Sequence, residues 1–345
     1  MAFGLLERVA RKREGLGFQS SEKQAFFKVL VEIGEARKKR SPVLADYQID
    51  WNLVAIGITS KHLKKLKPAI RGLAKSMRSY GLKTLLLVER EGQVQDLPEN
   101  IEVVVSGRVT ANWLRDHYFP TAEGLIEQPG RRLSSKLTPF ILKRASNLRL
   151  ESYRKISFLR GGDVVVGGNE VFVGGITWNC LVDKLGIEKS EKFLKAFLGR
   201  KKVIVIPWGL IHEEDIPISF VDLDSCLTVL GEKIILVGDE VNRRKNPQAY
   251  NYLQKTAEVL MKNGFDVRRL PFDSKGQKTY NNSLIHGFKK IAFVPQYGER
   301  DELYSQAAEI YRQAGYTPIS IPFSSSFSRS NFGQLRCLTL PLPSF

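Results

Sequence analysis

Two stretches of this chain, "AEVLMKNGFDVRRLPF" (Ala257 to Phe272) and "AEIYRQAGYTPISIPF" (Ala308 to Phe323), align without a gap at an offset of 51 residues. Each reads as a helix, a glycine stop and a strand that ends in Pro-Phe. "LAKSMRSYGLKTLLLV" (Leu73 to Val88) and "FLKAFLGRKKVIVIPW" (Phe193 to Trp208) repeat the same order. A left-handed helix terminus favours glycine, which explains Gly81, Gly199, Gly264 and Gly315. The β-branched run that follows each glycine suits a buried strand. A unit that recurs at about fifty residues points to a radial or stacked assembly rather than two unrelated domains.

Strand pairs alternate with these units. "GDVVVGGNEVFVGG" is two apolar strands around a Gly-Gly-Asn turn, and "CLTVLGEKIILVGD" is a second hairpin turning at Gly231-Glu232. The expectation is an α/β propeller of mixed blades, with function at the centre where the blades meet. At 345 residues the chain is long enough for a full core. Its longest apolar runs, such as "KTLLLVE" and "KKVIVIPWG", are strand-sized and far below a membrane span.

Residues 1–45 read as a basic helical extension, with ten Lys/Arg against five Glu and the run "RKKR" at Arg37 to Arg40. Phe26, Leu30 and Ile33 recur at helical spacing, so the helix has an apolar stripe suited to docking on the body, residues 46–345. Ser20 or Ser21 would cap it.

The net charge of +17 favours polyanions or phosphorylated ligands. The charge is spread along the sequence, and no RNP-like, helix-turn-helix or zinc-knuckle pattern focuses it on nucleic acid. Cys180, Cys226 and Cys337 have no metal-like spacing, and the start lacks a leader pattern; both features suggest a reducing, cytoplasmic setting. Cys180 and Cys226 lie among apolar residues and read as core.

Four stretches carry the chemistry: "NWLRDHYFP", "FLRGGDVVV", "FVDLDSCLTVLGEKIILVGD" and "GQLRCLTLPL". In this order, on a repeating α/β chain, they resemble the guanidino-group-modifying (pentein) superfamily of arginine and agmatine deiminases, dimethylarginine hydrolases and amidinotransferases. The resemblance spans about residues 50–345. It implies a five-bladed α/β propeller and a cysteine that attacks a guanidinium carbon to form a covalent thiouronium. It calls for neither metal nor cofactor. Carboxylates suit the planar cation because they hold it bidentately. The thiolate needs a positive neighbour, and a group near neutral pKa must move protons.

Position by position, the resemblance makes Cys337 the nucleophile and Asp116 and Asp224 the substrate carboxylates. Asp163 belongs to the Gly-Gly-Asp turn, where glycines permit close backbone approach; Asp116 beside Arg115 also reads as a loop ion pair. Two positions depart from the family. Asp222 stands where a catalytic histidine is expected, and Arg160 stands where an acid precedes Gly-Gly-Asp. A buried Arg160–Asp222 ion pair would reconcile both changes. Arginine cannot shuttle protons at neutral pH. Of the histidines, His212 in "LIHEEDIPIS" is the strongest substitute, ahead of His117, His62 and His286, although a surface loop position also accounts for it. Two readings follow: an altered guanidine- or amidine-modifying enzyme acting on a small guanidino substrate, or a catalytically impaired protein that binds a ligand or a polyanionic partner.

Overall fold

The computed structural model describes residues 20–89, 97–105, 114, 118–127, 141, 149–152, 159, 161–206, 222–324 and 334–344. The described strands are β1 (Trp51–Gly57), β2 (Lys83–Val88), β3 (Ile101–Val105), β4 (Tyr118–Thr121), β5 (Gly124–Glu127), β6 (Arg149–Ser152), β7 (Val164–Val166), β8 (Glu170–Val173), β9 (Lys202–Val205), β10 (Leu227–Val229), β11 (Ile234–Glu240), β12 (Asp266–Asp273), β13 (Lys278–Thr279), β14 (Leu284–His286), β15 (Ile291–Gln296), β16 (Thr317–Pro322) and β17 (Thr339–Pro343). The helices are α1 (Ser20–Lys38), α2 (Ser60–Arg78), α3 (Gly175–Leu185), α4 (Ile187–Leu198), α5 (Pro247–Lys262), α6 (Glu302–Gln313) and the short α7 (Leu335–Leu338).

The strands form five separate small sheets, ordered β17-β1-β2-β3, β4-β5-β6, β7-β8-β9, β10-β11-β12-β13 and β14-β15-β16. All five share one pattern: an antiparallel pair, then a parallel partner for the second strand. A parallel partner needs a crossover, and in four sheets helices supply it: α2, α3 with α4, α5 and α6. This is the repeat seen in the sequence. Its glycine stops take left-handed φ values of 71° at Gly81, 66° at Gly199, 84° at Gly264 and 82° at Gly315, where a Cβ would be strained. Both expected hairpins are present as β7–β8 and β10–β11.

Helices bury one stripe against the strands. Leu63, Leu66, Ile70, Leu73 and Met77 of α2 join Trp51, Leu86, Phe293 and Tyr311 in the largest apolar cluster. A second cluster unites Phe172, Ile235, Leu253 and Phe272 across two sheets. Because clusters cross sheet boundaries, each sheet is fixed by its neighbours.

Helix α1 lies on α4, where Leu30 joins Phe119, Leu194 and Phe197. Arg37, 1% exposed, is held by Glu151 at 2.7 and 2.9 Å and donates to the carbonyls of Phe197 and Ser41. A backbone bridge between Val43 and Thr121 follows. The amphipathic stripe thus docks on the body, and a buried, fully engaged guanidinium pins its end.

One expectation is corrected. Cys180 is exposed rather than core, because α3 buries the stripe Thr177, Leu181 and Leu185 and leaves Cys180 to one side. His286 closes β14, fully buried, with its ring 4.7 Å from Trp51. Among the described residues no helix is long and apolar enough to cross a membrane.

Candidate functional site

The last sheet-forming segment places the cysteine. "LRCL" makes one helical turn, α7, with all four residues buried, and then enters β17, which pairs antiparallel with β1. Arg336 and Cys337 are therefore held at the junction of a turn and the edge strand of the four-stranded sheet.

Asp224 meets them from a 3-10 turn, Leu223–Ser225, that leads into β10. It is fully buried. Its Oδ2 accepts a hydrogen bond from Arg336 Nη1 at 2.5 Å and lies 3.7 Å from Cys337 Sγ. Arg336 Nε donates to Asp46 Oδ2 at 2.6 Å, so one guanidinium bridges two carboxylates. Burial opposes the arginine's charge, but Asp46 and Asp224 outweigh it and push its pKa above the usual arginine value. Cys337 acts in the same direction, so attraction between the guanidinium and a thiolate is part of this balance.

The sulfur has a second partner. Asn282 Nδ2 donates to Cys337 Sγ at 3.0 Å, while Asn282 Oδ1 accepts from the Cys337 backbone N–H at 3.2 Å. The Asn282 carbonyl also accepts from Arg336 N. Asn282 belongs to a polar run, Thr279 to Ser283, that is wholly buried between β13 and β14. Thr279 Oγ1 donates to the Ser225 carbonyl at 2.5 Å, and Asn281 Nδ2 donates to the Leu236 carbonyl at 3.0 Å. The run ties the Asp224 turn to α7, and a buried polar segment is tolerated because most of its groups are paired, Asn281 Oδ1 being an exception.

Asp163 and Asp222 lie on the two neighbouring turns. Asp163 Oδ2 accepts from Thr177 N at 2.7 Å and its carbonyl accepts from Gly174 N, so it fastens the start of α3. A Cβ at Gly174 would lie 1.6 Å from Asp163 Oδ1. Asp222 lies against the Gly-Gly-Asp turn: a Cβ at Gly162 would come within 2.9 Å of its own Cβ. This contact explains the second glycine of the motif. Asp163 and Asp224 both help to raise the buried Cys226 thiol to about 12, with desolvation the larger cause. Cys226 is thus an inert core thiol.

The four segments converge on a narrow pocket whose lining includes Leu44, Asp46, Pro120, Gly161, Thr228 and Arg336. Asp116, Arg160, His117 and His212 lie outside the described residues, and with them the expected Arg160–Asp222 pair. Among the described residues no group of three or more His, Cys, Asp and Glu side chains is arranged to hold a metal.

Sequence reasoning missed Arg336, Asn282 and Asp46. Arg336 stood in plain view beside Cys337. Asn282 was signalled only by a polar run between two apolar strands. Asp46 had no signal, since its role arises from a contact 290 residues along the chain.

No family model matches the chain, and no curated protein matches it in sequence. Solved structures do match. The agmatine deiminase of C. jejuni superposes with a TM-score of 0.69 at 17% identity, covering 88% of this chain and 96% of that one. The agmatine deiminase of Enterococcus faecalis gives a TM-score of 0.67 at 15% identity, covering 89% and 97%. A C. jejuni form with cysteine changed to serine, solved with substrate bound, superposes equally well, with a TM-score of 0.69. The five-sheet α/β chain described above has the fold of the agmatine deiminases.

Proposed function

We propose that the five sheets act as blades around a central pocket, and that the chain is a divergent guanidino-modifying protein with Cys337 as nucleophile. The observation that carries this reading is the held guanidinium. Asp224, 3.7 Å from the sulfur, already grips one at 2.5 Å. A carboxylate that accepts Arg336 there has the chemistry to accept the guanidinium of a small substrate. Asp46 and Arg336 are the charged residues of the described pocket lining, and Asp163 and Asp224 lie buried on the two 3-10 turns beside it, an acidic setting that suits a cationic ligand.

In this mechanism the Cys337 thiolate adds to the central carbon of a guanidine or amidine, forming a C–S bond as a C–N π pair moves onto nitrogen. The tetrahedral adduct collapses, a C–N bond breaks, and the amine leaves with a proton. Water then attacks the thiouronium carbon, and the C–S bond breaks to return the thiol and a urea-type product. Arg336 supplies the positive charge that favours the thiolate, and Asn282 aims the sulfur. Asp222, in the position of the family histidine, takes the proton-transfer role in altered form.

The same contact favours a second reading. Arg336 occupies the carboxylates that a substrate needs, which suits a protein that binds without turnover. The experiment is a panel of alkylguanidines and amidines, followed by calorimetry and by assay of released amine or ammonia. Product from the native protein and none from Cys337→Ser supports the enzyme. Binding without product in both forms supports the second reading. Neither binding nor product removes both.

A further inference from the structure

The part of the extension that reaches the candidate site is the segment between α1 and β1. Val43, Leu44, Ala45 and Asp46 form one wall of the pocket that Arg336 also lines. Backbone bonds seat this segment on the body: Val43 N donates to the Leu198 carbonyl at 3.1 Å, and Leu44 N donates to the Pro120 carbonyl at 2.8 Å. At its far end a Cβ on Gly287 would lie 1.8 Å from the Tyr47 carbonyl oxygen, so only glycine admits the chain there. Upstream, Arg37 donates to the Ser41 carbonyl at 2.6 Å, which ties the seating of the segment to the docking of α1.

Arg200 closes the segment into a tight turn. Its Nη2 donates to the Val43 carbonyl and, at 3.1 Å, to Gln48 Oε1. Gln48 Oε1 also accepts from Ala45 N at 3.1 Å, and Gln48 N donates to the Ala45 carbonyl at 2.8 Å. Side chain and backbone of Gln48 thus answer both backbone groups of Ala45 and leave Asp46 on the crown of the turn. There Asp46 Oδ2 accepts from Arg336 Nε at 2.6 Å. One arginine clamps the base of the turn, and a second is held from its crown.

The result is a division of charge around the sulfur. Arg336 is the described cation beside Cys337, and a thiolate needs that charge. Asp224 shares it from 2.5 Å and lies 3.7 Å from the sulfur, while Asn282 offers a neutral donor at 3.0 Å. Asp163 and Asp222 stand on the adjoining turns. Each carboxylate drawn to the guanidinium leaves less of its field for a thiolate. Asp224 comes from the turn before β10, whereas Asp46 arrives on a segment with its own clamp. We infer that Asp46 is a positioning residue for Cys337: held by the Arg200 clamp, it keeps Arg336 drawn to the segment and restrains formation of the thiolate. The inference rests on the reading of Cys337 as nucleophile, and it gives the docked extension a part in the site, as a brake.

The test is the pH profile of Cys337 alkylation by iodoacetamide in the full chain, followed by mass spectrometry between about pH 6 and 10. Asp46→Asn should lower the midpoint by about one unit, because a negative charge leaves while Asp224 still holds the guanidinium. Asp46→Glu keeps the charge and should keep the midpoint close to native. Arg200→Gln should shift it in the same direction by less, and should add nothing in an Asp46→Asn background. Gln48→Ala loosens the same turn and replaces Arg200→Gln if that variant does not fold, as judged by circular dichroism melts. An unmoved or raised midpoint in Asp46→Asn or in the clamp variant, the same shift in Asp46→Glu, or additive shifts in the double variant each overturns the inference. The native midpoint alone judges the reading of Cys337. An ordinary or suppressed thiol there counts against the nucleophile, and the differences between variants still decide the role of Asp46.

Discussion

Arg336 and Asp224 hold each other at 2.5 Å, and the next residue in the chain after Arg336 is the candidate nucleophile Cys337. The pocket's best carboxylate is therefore engaged by a guanidinium of its own chain. On the proposed reading, a substrate displaces it or binds beside it, which would link stability and ligand binding through this one contact.

Removing the arginine leaves two carboxylates facing each other with little solvent. Arg336→Met should destabilise the protein by about 3–5 kcal/mol, read from urea unfolding, because a buried charge loses its counter-charge. Adding Asp224→Leu should recover part of that loss rather than add to it. Strict additivity of the two changes would show that the pair is not coupled.

The cavity left by Arg336→Ala should bind a replacement cation. Millimolar methylguanidinium should raise the melting temperature of this variant by more than it raises that of the native protein. Methylammonium is the control, since it lacks the planar fork. An equal rise with both cations would mean that the pocket recognises charge and not guanidinium.

Asn282 should control the sulfur. Asn282→Asp puts a negative charge in place of the amide that donates to Cys337 at 3.0 Å, and should slow alkylation of Cys337 severalfold near neutral pH. Cys180, exposed, should label first, and Cys226 should stay unlabelled. Mass spectrometry of tryptic peptides separates the three sites. Unchanged Cys337 kinetics in the variant would remove Asn282 from the site.

His286 predicts a pH dependence. Burial holds its imidazole below the usual histidine range, so the unfolded chain takes up the proton first. Its contribution is complete above about pH 6.5 and is lost as pH falls from there through the depressed folded value. His286→Phe keeps a ring beside Trp51 but cannot titrate. Between about pH 7.5 and 5.5 the native protein should lose more stability than this variant; equal losses would contradict the assignment.

Much of the fold was legible because local signals agree with one another. Glycine stops, Pro-Phe strand ends and the Gly-Gly-Asn turn each demand a particular backbone, and four of the five sheets carry the glycine stop. Cys337 and Asp224 were singled out by the resemblance of their motifs rather than by any local backbone signal, and the structure brings them within 3.7 Å of each other. Asp46 and Arg336 were not, since nothing local marks a contact made between distant segments. Cys180 was misread because apolar neighbours in sequence are not neighbours on a helix face.

The pairing of β17 with β1 joins residues such as Trp51 and Pro343, close to 300 positions apart. So long a closure is slow compared with forming the hairpins, each of which needs only a short loop. Cys337 precedes that last strand by two residues. Its thiol is shielded only when β17 pairs with β1, so a newly made chain offers it to oxidants for longer than it offers Cys226, which a short hairpin encloses. The strand that completes this sheet also sets how long that thiol remains unguarded.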